Sequence, residues 1–144
     1  MKIVIGNDHA GVNLKNAIMH KFQEIEWINV GTDTEESVDY PDIAEKTANT
    51  LKQGNADLGI LICGTGTGIG IAANKIRGIR AAMCFNEIMA EMARKHNNAN
   101  ILTLGARVLG DELCFSIIRR FIETDFEAGR HEIRVNKIIS LEER

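Results

Sequence analysis

Cys63, the pair Asp8-His9 and the run Gly64-Thr65-Gly66-Thr67-Gly68-Ile69-Gly70 carry the residue types and spacings in this chain that suggest chemistry. A thiol at a strand end, just before a helix start, can have its acidity raised by backbone N–H groups and act as a thiolate. The same position also suits a buried thiol that completes an apolar strand. Glycines at 64, 66, 68 and 70 let backbone N–H groups turn towards an anion, at a helix start that favours negative charge. A tight strand-to-helix turn is the alternative. The third glycine of a dinucleotide fingerprint falls on Ile69 or Ile71, and no Gly-Lys-Ser/Thr follows, so neither a dinucleotide loop nor a Walker loop is present. Asp8-His9 pairs a carboxylate with an imidazole; a helix cap at Asp8 with an exposed His9 is the alternative. Arg130 and Arg134 are four apart and share one helix face with a phosphate-gripping geometry. Arg107 follows a strand. A solvated face with acidic neighbours such as Glu127 is the alternative for the pair, and His131 is expected to be exposed. His20 has no visible partner.

The elements that position these groups follow from periodicity. Ile3–Ile5 reads as a strand, and residues 11–24 as an amphipathic helix. Trp27–Val30 is a second strand, followed by a polar loop over 32–40. Pro41 then opens a helix, with Tyr40 just before it. Leu58–Cys63 is a continuous apolar run, as for a strand covered on both faces. The glycine run opens the next helix. Ile79–Phe85 is a fourth strand. Residues 86–97 form a helix with Ile88, Met89, Met92 and Ala93 inward. Ile101–Leu104 is a fifth strand, residues 110–124 a helix with Leu113, Ile117 and Phe121 inward, and residues 129–142 a last helix. Cys84 and Cys114 fall on core positions. Strands alternating with helices predict an α/β fold, a five-stranded parallel sheet covered on both faces.

Ligands of such a sheet bind at the carboxyl ends of the strands. Asp8, His9, Tyr40 and Cys63 share that rim. His96-Asn97 ends a helix that runs back to the opposite rim. A catalytic His96 would therefore serve a neighbouring subunit's site.

The 144 residues predict one domain over 1–144, and the net charge of −3 disfavours a nucleic-acid partner. No apolar run reaches the ~18 residues of a membrane span, and the N-terminal run is too short for a signal peptide. Three cysteines without metal-knuckle spacing read as reduced thiols of a cytoplasmic protein, with no metal site expected.

Seven segments in order carry a resemblance: Gly6–Gly11, Ser37–Asp42, Ile62–Gly66, Ile71–Lys75, Gly78–Ala82, His96–Asn100 and Gly129–His131. With them the chain resembles the B type of ribose-5-phosphate isomerase, within the wider group that includes galactose-6-phosphate isomerase. The resemblance covers residue 3 to about 138. It implies a three-layer α/β/α Rossmann-like fold and a homodimer or tetramer whose site is shared between subunits; the C-terminal helix, lying beyond the last βα unit, is free to pack on the partner. It also implies cofactor-free interconversion of an aldose phosphate and a ketose phosphate, as in the pentose phosphate pathway. By position, Cys63 would move the proton between C2 and C1, and the amides of Gly64, Gly66 and Gly68 would hold the enediolate, helped by Asn97. Asp8, His96 and Thr65 would open the sugar ring. His9, Arg107, Arg130 and Arg134 would clamp the phosphate, and Tyr40 would line the pocket. Ribose 5-phosphate is the leading substrate, allose 6-phosphate and galactose 6-phosphate the nearest alternatives, and a non-catalytic sugar-phosphate-binding module the other class. Gly70 departs from the family's frequent Ser, which removes a hydroxyl near the anion loop.

Overall fold

A computed structural model describes residues 1–144. Its elements run β1 (Lys2–Asn7), a 3-10 turn (His9–Gly11), α1 (Val12–Lys21), β2 (Glu26–Asn29), α2 (Tyr40–Lys52), β3 (Leu58–Cys63) and α3 (Thr67–Asn74). Then follow β4 (Ala81–Met83), α4 (Glu87–Asn97), β5 (Ile101–Gly105), α5 (Asp111–Glu123) and α6 (Arg130–Leu141). The five strands are parallel in the order β2-β1-β3-β5-β4. The expected α/β/α architecture and five-stranded parallel sheet are present.

The period of two along β3 divides the core between the faces. Ile60 and Ile62 enter the larger cluster under α1, α4 and α5, with Leu14, Ile18, Ala93, Ile117 and Phe121. Leu61 and Cys63 enter the smaller cluster under α2 and α3, with Ile43, Ala44, Ile69 and Ala73. Each buried Leu or Ile contributes about 1.5–3 kcal/mol. The strand order reverses between β1 and β3, so the connections after them leave on opposite faces and open a crevice where Asp8 and Cys63 stand.

Expected boundaries and faces shift in places. β4 is confined to Ala81–Met83, because Ile79 closes a turn onto Ile76 O and only those three residues pair with β5. α3 begins at Thr67, so Gly68 and Gly70 are helical residues and only the first half of the glycine run is a turn. Ile88 points outward, 71% exposed, while Ala90 and Ala93 face the core; Leu113 also lies at the margin of its helix. No helix is long and apolar enough to cross a membrane.

Candidate active site

Cys63 and Asp8 follow paired positions on adjacent strands, Ile62 and Asn7, and so stand about 5 Å apart along the rim. Asp8 N–H donates to Ile62 O (3.1 Å), and Asp8 Oδ1 accepts Ala10 N–H (2.9 Å). The cap alternative for Asp8 is therefore present, yet it commits only one carboxylate oxygen. His9 Nδ1 accepts Val38 N–H at 3.3 Å, which leaves the ring proton on Nε2. Cys63 Sγ accepts Gly66 N–H at 3.2 Å and is buried. That contact requires Gly66 at φ +81°, where a side chain would also come within 2.9 Å of the Leu104 carbonyl carbon. Thr103 Oγ1 braces the turn from β5 by donating to Gly66 O (2.9 Å). Thr65 is exposed, and its Oγ1 accepts Thr67 N–H (3.2 Å). The phenol end of Tyr40 abuts Gly68 so closely that a Cβ there would sit 2.8 Å from the ring. Arg107 N–H donates to Gly64 O (2.9 Å), and its guanidinium lies beside Gly64. Nine of the expected residues thus share one rim: Asp8, His9, Tyr40, Cys63, Gly64, Thr65, Gly66, Gly68 and Arg107.

His96, Asn97, Arg130 and Arg134 stand elsewhere. β5 pairs with β3 from Gly59↔Ile101 to Cys63↔Gly105. His96 ends the helix that leads into Ile101, so it lies towards the amino end of that ladder, four register steps or about 13 Å along the strands from the level of Cys63. The expected separation of His96 from its own Cys63 is present. His96 stacks on His131 with ring centroids 4.1 Å apart and planes 11° off parallel. His131 is buried rather than exposed, because α6 turns this residue and Val135 onto α4. Burial first, then His96, Arg130 and Arg134, push the His131 pKa below its ordinary value, against Glu127. Arg107, Arg130 and Arg134 make no ion pair within the chain, so the solvated face expected with Glu127 lacks its acidic partner.

Cys84 and Cys114 are core thiols, and burial pushes both up to about 11. Sequence reasoning missed the His96–His131 stack and the buried Lys15 on α1. Nothing local marks either, since both depend on which distant helix or loop covers the side chain. At position 70, a Cβ would face Thr103 Oγ1 at 3.3 Å, so a hydroxyl there would meet β5. No group of three or more His, Cys, Asp or Glu side chains is placed to hold a metal.

The ribose/galactose isomerase family model matches residues 3–138. Ribose-5-phosphate isomerase B of Escherichia coli is 44% identical, covering 99% of this chain and 97% of that protein. D-erythrulose-4-phosphate isomerase of Pectobacterium atrosepticum is 43% identical, covering 96% and 93%. The solved structure of Clostridium thermocellum ribose-5-phosphate isomerase B superposes with a TM-score of 0.96 at 52% identity, covering 99% and 98%. With a family model spanning nearly the whole chain and a fold shared at that identity, this chain is an isomerase and belongs to the ribose/galactose isomerase family.

Proposed function

We propose that the chain interconverts ribose 5-phosphate and ribulose 5-phosphate through an enediolate, with Cys63 as the base. The observation that carries this is the Cys63 sulfur held 3.2 Å from Gly66 N–H in the turn that opens α3. The contact fixes the sulfur in the turn whose backbone amides can also meet an anion. The thiolate removes the C2 proton of the open-chain aldose, and the electron pair moves onto the C1 oxygen. The amides of Gly64, Gly66 and Gly68 then meet the developing oxyanion; one such donor is worth about 10²–10³ in rate. The C2 hydroxyl passes its proton to the C1 oxygen, and the Cys63 thiol, after exchange with solvent, delivers a proton to C1 as C2 becomes the ketone. No cofactor takes part in this sequence.

Asp8 takes a hydroxyl proton through its uncommitted oxygen, and His96 protonates the ring oxygen when the furanose opens, with Thr65 beside them. His9 and Arg107 hold the phosphate together with Arg130 and Arg134, Tyr40 lines the sugar pocket, and Asn97 supports the enediolate. Because His96 and Asn97 lie at the amino end of the β3–β5 ladder, about 13 Å along the strands from the level of Cys63, and His131 stacks on His96 at the start of α6, these residues with Arg130 and Arg134 serve the site of a partner subunit in a homodimer or a tetramer. Exposed apolar side chains on α3, β4 and α6, among them Ile71, Met83, Ile133 and Leu141, support such a covered surface. The three free thiols suit a reducing cytoplasm, where the reaction belongs to pentose phosphate interconversion.

NMR of ribose 5-phosphate incubated with the protein in D₂O and EDTA tests this reading. The expected result is ketose carrying deuterium at C1, and none with Cys63→Ala. Ketose surviving in the variant moves the base elsewhere. Turnover of four- or six-carbon sugar phosphates, with none of ribose 5-phosphate, replaces the substrate.

A further inference from the structure

Lys15 on α1 is completely buried, and no step above uses it. A buried ammonium persists only where acceptors surround it. Here Nζ donates to Thr32 O (2.6 Å), Asp33 Oδ1 (2.5 Å) and Asn29 Oδ1 (3.3 Å). All three acceptors belong to the end of β2 and the start of the irregular segment that leads to α2. The same turn is tied to the end of β1: Asn7 Nδ2–H donates to Thr32 O (3.0 Å), and Thr32 N–H donates to Asn7 O (3.2 Å). Asp33 is solvent-facing, and its hydrogen bond from Lys15, then that from Asn29, holds its carboxyl below the usual range.

The far end of this segment does the work at the rim. Val38 supplies the N–H that occupies His9 Nδ1, and Tyr40 supplies the ring that lies on Gly68. Between the two ends, residues 33–37 are exposed and belong to no helix or strand. The place where Val38 and Tyr40 arrive therefore depends on where the segment starts. Cys63 and Asp8 do not share this dependence, since β3 and the Ala10 N–H hold them.

We propose that Lys15 is a positioning residue: its buried ammonium pins the Thr32–Asp33 turn, and so fixes the proton of His9 on Nε2 and the ring of Tyr40 over Gly68. The consequence for turnover rests on the reading of His9 and Tyr40 as substrate-binding groups. Lys15 then sets substrate affinity rather than the chemical step.

The test is steady-state kinetics with ribose 5-phosphate, beside ¹⁵N NMR of the His9 ring, on full-length wild type, Lys15→Met, Asp33→Ala and His9→Ala. Lys15→Met is expected to raise KM about tenfold with kcat within about twofold, the pattern of lost uniform binding. Its His9 ring should lose the single Nε2–H signature of the wild type and show a mixture of tautomers. An unchanged KM and an unchanged His9 signature in folded Lys15→Met would overturn the proposal. If Lys15→Met does not fold, Asp33→Ala decides from the surface: about a threefold rise in KM supports the latch, and a wild-type KM overturns it. If His9→Ala leaves KM unchanged while Lys15→Met still scrambles the tautomer, the positioning stands and the substrate role of His9 falls.

Discussion

Cys63, Cys84 and Cys114 are all buried, yet only Cys63 receives a backbone N–H on sulfur. Cys84 instead donates its S–H to Ala82 O, and burial alone governs its high pKa. The difference comes from the turn after β3, where Gly66 is forced to positive φ. Gly68 makes a second demand of this kind, because the Tyr40 ring occupies the space of a side chain. Gly68→Ala should push Tyr40 off the pocket and raise KM about tenfold, and Tyr40→Ala should make the added methyl nearly silent, a non-additivity read by steady-state kinetics of the double variant. The rim residues were legible because strand ends announce themselves: apolar runs stop at Asp8 and Cys63. His131 was not legible, since Gly-Arg-His reads as surface and only the packing of α6 on α4 buries it.

At the scale of elements, α4 and α6 meet through two stacked imidazoles. Burial first, then His96, Arg130 and Arg134, oppose a proton on His131, while Glu127 favours it. The unfolded chain binds that proton near the ordinary value of 6.5. The folded chain therefore holds fewer protons just below this pH, and stability declines as pH falls through the lowered pKa. Urea midpoints should drop between pH 7.5 and about pH 5 in the wild type, and drop less in His131→Phe, which keeps an aromatic ring without the proton. Helix and strand order followed from periodicity, but ends did not. Ile79 looked like strand and is a turn, because Gly78 at φ +85° bends the chain before β4. Ile88 looked like core on a helical stripe, but the two alanines of α4 let that helix lie close, turning Ile88 to solvent.

For the whole molecule, the groups of the proposed reaction are split between two rims. The carboxyl rim holds the thiol, the carboxylate and one arginine; the amino rim holds the imidazole stack and two arginines without ion pairs. A hollow of about 760 Å³ lies at the amino rim between Arg80, Asn97, Ile138 and Glu142, and Cys63 does not line it. A second of about 420 Å³ runs along α3 past Ile71 and Met83. For His96, sequence alone made this division legible, because a helix between parallel strands must end at the rim where the next strand begins, whereas α6 has no following strand to place its arginines. It could not give the surface that joins two chains, since an apolar residue on an outer helix face reads alike whether solvent or a partner covers it. The proposed site joins Cys63 of one chain to His96 of another. Its most direct test is to co-refold Cys63→Ala with His96→Asn, each inactive alone, and assay ribose 5-phosphate isomerisation. Random pairing restores one intact site in each mixed dimer, so about a quarter of wild-type activity should return. A mixture as inactive as its components would contradict a site shared between subunits.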